Sequence, residues 1–164
     1  MDHVDRIIAQ WNSARPELDV GPMETIGRLS RLSMLLRSEM EKTWKTYGLN
    51  AASFDVLATL RRSRKPEGLS PGALLELTMV TSGTMTNRVD QLVKAGLVQR
   101  VQNPDDKRGF LIQLTGAGLK KIEAAITDHV ATQHQLMRGL SAAEKDTLNG
   151  LLIKLTASVN EGAD

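Results

Sequence analysis

Thr84–Gly118 reads TMTNRVDQLVKAGLVQRVQNPDDKRGFLIQLTGAG, and it changes period twice. From Thr84 to Ala95 the apolar residues Val89, Leu92 and Val93 recur at helical spacing, with Ser82 upstream as a candidate N-cap and Gly96 as the stop. LVQRVQ and FLIQL then read as strands, and TGAG opens another helix. Between the strands lies a long, charged tip holding Asp105, Asp106, Lys107 and Arg108. A hairpin that served packing alone would favour a tight Asn-Gly or Asp-Gly turn.

Upstream, SPGALLELTMV starts a helix, with Ser70 as N-cap and Pro71 in the first turn. The order helix, short connection, helix, hairpin defines a winged helix-turn-helix. The second helix of such a pair lies in the DNA major groove and offers its N-terminal residues to base edges. Here those residues are Ser82, Thr84, Thr86, Asn87 and Arg88, none of them acidic. Thr suits a thymine methyl, Asn an adenine and Arg a guanine. A narrow minor groove attracts an inserted Arg, which is the role expected of Arg108 at the hairpin tip. Asp106, two residues earlier, would orient its guanidinium, while Lys107 and Asn103 would touch flanking phosphates. The bland alternatives are a polar surface helix and a local ion pair, the latter contributing about 0–1 kcal/mol when exposed.

The rest of the chain is helical, so the expected class is mainly α with a small β-hairpin wing. Val4, Ile7, Ile8 and Trp11 mark a short N-terminal helix, interrupted by Pro16 and Pro22. A long helix follows from about Met23 to Tyr47, stopped by Gly48. NAASFDVLATLRRS is the next helix, ended by RKPEG. After the wing come a long helix and a last one, whose start carries a Ser141–Glu144 capping box. The stripe Leu148, Leu151, Leu152, Leu155, Val159 is more than one small domain buries on itself, and such a face marks an interface. The expected layout is a dimer scaffold over 1–47, the winged domain over 48–118, and dimerisation helices over 119–164.

Composition narrows the functional classes. The chain has no cysteine, so disulfides, thiolate metal sites and a cysteine nucleophile are excluded. Aromatic residues make up 3%, too few for a single-strand stacking platform. His129 and His134 are five apart, off the i, i+4 spacing of a helical metal pair. With His3 they are expected at the surface or an interface. No glycine-rich phosphate loop or nucleophile elbow is present, so neither an enzyme nor a cofactor is expected. No segment has the apolar length of a membrane span, and the N-terminus does not resemble a signal peptide. A cytoplasmic protein without membrane contact is therefore expected. The net charge is +2, but it is uneven: −1 over residues 1–60, +6 over 61–121 and −3 over 122–164. A basic middle between acidic ends suits a polyanion-binding face. A winged-helix protein–protein adaptor is the alternative to DNA binding.

The run Asn87, Leu92, Gly96, Leu97, Val98, then Asp106-Lys107-Arg108, then Thr115 and Gly118 resembles the MarR family of bacterial transcriptional regulators. The likeness extends from Met23 to the C-terminus. It implies a triangular homodimer reading a pseudo-palindromic double-stranded operator, with an Asp-x-Arg wing tip. IIAQW, FDVLATLRR and LVQR are similar to the urate-responsive subgroup, in which a tryptophan, an aspartate and two arginines line a pocket between dimer helices and DNA-binding domain. By position these are Trp11, Asp55, Arg62 and Arg100. The resemblance thus implies a repressor released by a small anionic ligand. An aromatic face would stack on a purine-like ring, and two guanidiniums would hold its charge.

Overall fold

The computed structural model describes residues 1–78, 85–106 and 109–161. Helix α1 (His3–Ala14) begins at Asp2, whose carboxylate accepts the Val4 and Asp5 N–H groups in a capping box. It lies against α2 (Gly21–Thr46). Arg28 of α2 donates Nε–H to Asp2 at 2.9 Å and also binds Asp5 and Glu24. Val4 is buried over Gly27, where a Cβ on α2 would meet its methyl groups at ordinary contact distance. The long helix stops at Gly48, which takes a left-handed φ of +66°.

The winged domain follows. Helix α3 (Ala51–Arg62) is capped by Asn50, with Ser53 completing a capping box. Helix α4 (Pro71–Leu77) is capped by Ser70 as expected and ends at Leu77, with Thr78 already extended. Helix α5 (Met85–Lys94) closes at Gly96, φ +68°. Strands β1 (Val98–Gln102) and β2 (Phe110–Leu114) pair antiparallel, Val98 opposite Leu114 and Gln102 opposite Phe110. Leu69 adds a bridge to Ile112, its N–H and C=O both engaged. Gly68 makes that approach possible, because a Cβ there would lie 2.4 Å from the Ile112 carbonyl oxygen.

Helix α6 (Gly116–Leu136) starts under the wing. The Thr115 hydroxyl caps it through the Gly118 N–H and donates to the Gly96 carbonyl at 2.7 Å. One residue thus ties the end of α5 to the start of α6. Around this junction sits one core: Val56, Leu57 and Leu60 of α3, Leu74 of α4, Val89 and Leu92 of α5, Val98 and Ile112 of the wing, and Ile122 and Ala125 of α6.

His129 departs from the expectation of a surface or interface residue. It is half-buried on α6, its ring 4.7 Å from Phe54 and 5.7 Å from Trp44. Its Nδ1 accepts the Trp44 indole N–H at 3.2 Å. Burial pushes its pKa down. The reason is helical spacing: His129 is one turn beyond Ala125 and two beyond Ile122, on the buried stripe of α6. His3 and His134 are exposed.

Helix α7 (Ala142–Glu161) opens on the expected capping box, Ser141 and Glu144 each bonding the other's backbone N–H. It buries none of its residues. Leu151 and Val159 remain 61% and 65% exposed. Among the described residues, no helix is long and apolar enough to cross a membrane.

Candidate nucleic-acid interface

Helix α5 is sharply two-faced. Met85, Val89 and Leu92 are buried in the core, while Thr86, Asn87 and Gln91 are exposed. Thr86 and Asn87 therefore stand in the first turn on the outer face, as expected of base-reading residues. Ser82 and Thr84 lie outside the described residues, so the expectation for them rests on sequence. Arg88 differs from its neighbours. It is only partly exposed and lines a hollow against Asn50 and Ser53 at the start of α3.

Asp90 would place a carboxylate near this face, where it would repel phosphate. Arg100 of β1 neutralises it, donating from Nη2 to Asp90 Oδ1 at 2.6 Å. The same guanidinium lies 5.1 Å over the Phe110 ring on β2. A cation between a carboxylate and an aromatic face is held in one orientation. The wing is thereby clasped to α5 at the edge of the reading surface.

The hairpin tip is shaped by its own polar groups. Asn103 donates its N–H to the Gly109 carbonyl at 3.1 Å, and its side-chain oxygen accepts the Asp105 N–H at 3.0 Å. The Gly109 N–H returns to the Asp106 carbonyl at 2.9 Å, closing the turn. Asn103 is half-buried and Asp106 exposed. Lys107 and Arg108 lie outside the described residues.

Of the four residues expected to hold a ligand, two meet directly. Arg62 Nη1 is 3.8 Å from Asp55 Oδ1, and Asp55 keeps only 14% of its side chain exposed. Arg62 also donates to the Leu77 carbonyl, linking α3 to the end of α4. Trp11 is 40% exposed on α1. Arg100 borders a separate hollow with Pro71, Leu75, Thr86 and Phe110, and Trp11, Asp55 and Arg62 do not line it. Sequence reading missed Asn50, Ser53, Asp90 and Phe110. The Asn50–Ser53 box was readable as an N-cap motif after Gly48, whereas the Asp90–Arg100 contact joins two elements and left no local trace.

A buried-stripe helix with an outward polar first turn, clasped to a β-wing, is the reading head of a winged-helix DNA-binding protein. The family follows from the comparisons. A MarR-family model matches residues 47–109. The chain is 39% identical to the HTH-type transcriptional regulator PecS of Dickeya dadantii over 91% of this chain and 90% of that one. It is 33% identical to the multiple antibiotic resistance protein MarR of Escherichia coli, covering 77% of this chain and 90% of that one. A crystal structure of mutant E. coli MarR complexed with operator DNA superposes with a TM-score of 0.70 at 28% identity, over 88% of this chain and 96% of that one. The chain belongs to the MarR family and is a DNA-binding transcriptional regulator.

Proposed function

We propose that the protein is a homodimeric repressor that reads a pseudo-palindromic operator and is released from it by a small anionic ligand. The observation that carries the DNA-binding part is the outer face of α5. Thr86 and Asn87 are exposed beside a wing fixed by Arg100, while the acid at Asp90 is neutralised. On the sequence, Ser82 and Thr84 join Thr86 and Asn87 as base-contacting residues. Arg108, with Asp106, Lys107 and Asn103, reaches the neighbouring minor groove and phosphates. The related E. coli MarR, solved with operator DNA, supports this docking for the present chain.

The unpartnered apolar face supports the dimer. Leu151, Ile153 and Val159 on α7, with Ile26, Met34 and Leu35 on α2, are all more than 60% exposed in the single chain. Faces of this kind are buried by a second subunit. Two reading heads in one dimer call for an operator with two half-sites related by a dyad.

Urate, or a purine anion like it, is the proposed effector, held among Trp11, Asp55, Arg62 and Arg100. Arg62 and Asp55 sit on the helix behind α4, and Arg100 holds the wing, so a ligand engaging both would favour one orientation of the reading head. It shifts DNA affinity only through its differential affinity for the two orientations, and such couplings are typically about 1–3 kcal/mol. Calorimetry with urate, xanthine and small carboxylates against the parent and Arg62→Ala tests this. Urate binding that Arg62→Ala abolishes, with DNA affinity kept, is the expected result. No binding of any of them by the parent removes the effector and leaves DNA recognition standing.

A further inference from the structure

Arg88 poses a problem of charge. Its Nη1 is shut off from solvent and has no hydrogen-bond partner among the described residues. Arg88 makes no ion pair among the described residues, and no aspartate or glutamate lines the hollow it occupies. A buried guanidinium N–H without an acceptor costs free energy, since it has given up water for nothing. The other walls of the hollow add donors and no compensating charge. Asn50 turns its Oδ1 inward, accepting the Ser53 N–H at 2.9 Å as the cap of α3. That orientation leaves its Nδ2 group without a partner among the described residues. Asn87 and Gln91 of α5 line the same hollow. The positive end of the α3 dipole points the same way.

We propose that this hollow seats one phosphate of the DNA backbone, with Arg88 and the Asn50 amide as its donors. The proposal rests on the DNA-binding reading and changes the part of Arg88 in it. The sequence suggested a guanine contact, but Arg88 is tucked against Asn50 and Ser53 of α3, away from Thr86 on the wing side of α5. Nη1 itself is closed off, so the phosphodiester oxygen would meet the part of Arg88 that lines the hollow and neutralise its unpaired charge. The contact would fix the register of α5 in the groove without reading a base.

The test is a salt titration of DNA binding by the parent, Arg88→Met and Asn50→Asp proteins, using the chain's own upstream DNA and an unrelated duplex. Met keeps the apolar stem and removes the buried orphan. Asp is as good an N-cap as Asn, so α3 stays capped while the donor becomes an anion. Each phosphate neutralised steepens the dependence of log K on log salt by about 0.9. Over a fourfold rise in salt the parent should therefore lose about 3.5-fold more affinity than Arg88→Met for each protomer engaged, or about 12-fold for two. Both duplexes should show the same change, with their ranking preserved, and Asn50→Asp should weaken both. An unchanged slope with Arg88→Met in a parent that binds DNA overturns the phosphate seat alone. An altered ranking of duplexes returns Arg88 to base reading and overturns it too. A parent that binds neither duplex overturns this inference together with the DNA-binding reading. A third arm titrates inorganic phosphate at constant ionic strength and follows thermal melting. Stabilisation of the parent but not of Arg88→Met, with no difference in DNA slope, assigns the hollow to a free anion and again overturns the proposal.

Discussion

Gly118→Ala should separate the wing from α6. A Cβ at Gly118 would lie 1.9 Å from the Leu97 carbonyl oxygen and 2.8 Å from its carbon. Ordinary contact begins near 3.4 Å, so the Leu97 peptide must retreat by about 1.5 Å. It has nowhere to go. Its carbonyl accepts the Thr115 N–H at 3.1 Å, its N–H donates to Leu92 at 2.9 Å, and its side chain is 7% exposed. Overpacking of this kind costs about 1–3 kcal/mol, and losing the Thr115 bond adds about 0.5–1.5 kcal/mol. The helix propensity of Ala returns at most about 1 kcal/mol. The net loss is about 1–3 kcal/mol, which for a chain of this size lowers Tm by roughly 3–10 °C. Gly116→Ala is the matched control. Two residues away on the same helix, its Cβ meets nothing within 4 Å, so stability should change by less than about 0.5 kcal/mol. Thermal melting followed by circular dichroism reads both. DNA affinity should fall with Gly118→Ala more than with Gly116→Ala, since Leu97 joins α5 to the wing. Equal melting of the two variants would refute the close approach and the coupling built on it.

Three further outcomes are expected. Arg108→Ala should weaken binding to every duplex alike, by removing a groove contact and not a base code; binding equal to the parent's in a gel-shift series would remove the wing from the interface. Leu152→Asp, on the exposed face of α7, should convert the protein to a monomer in sedimentation velocity at micromolar concentration, whereas a parent that is itself monomeric would end the dimer account. His129 sets a pH dependence. Its folded pKa lies below its ordinary value because of burial, so the unfolded chain binds the extra proton first. Stability is then full above the ordinary value of 6.5 and declines as pH falls below it. His129→Phe should flatten that decline in denaturant titrations between pH 5 and pH 7.5, and an unchanged slope would contradict the lowered pKa of the half-buried His129.

Much of the fold was legible because its signals are local. Gly48 and Gly96 end their helices in the left-handed region, Ser70 and Ser141 cap theirs, and the two strands sit where the period changes. The exposed face of α7 was readable from its leucines for the same reason. What escaped depends on faces and on contacts between elements. Arg88 follows Met85 by three residues and precedes Leu92 by four, so helical spacing puts it at the margin of the buried stripe. Its charge suggested solvent instead. His129 was judged by its distance from His134, although its distance from Ala125 decides its burial. The Asp90–Arg100 clasp joins α5 to β1 through the fold and has no signature in either element. The proposed ligand residues show the same limit: Asp55 and Arg62 meet because they are two turns apart on one helix. Trp11 and Arg100 have no such local constraint.

The central claim is sequence-specific recognition by the outer face of α5, and selection from a pool of random duplexes at physiological salt tests it most directly. The parent protein should enrich one sequence with two half-sites related by a dyad, their centres about one helical turn apart or a multiple of it. Asn87→Ala should relax the choice at one position of each half-site, losing about 1–3 kcal/mol of discrimination there if that contact is bidentate. Enrichment of no sequence by the parent, or an unchanged selected sequence with both Thr86→Ala and Asn87→Ala, would contradict it.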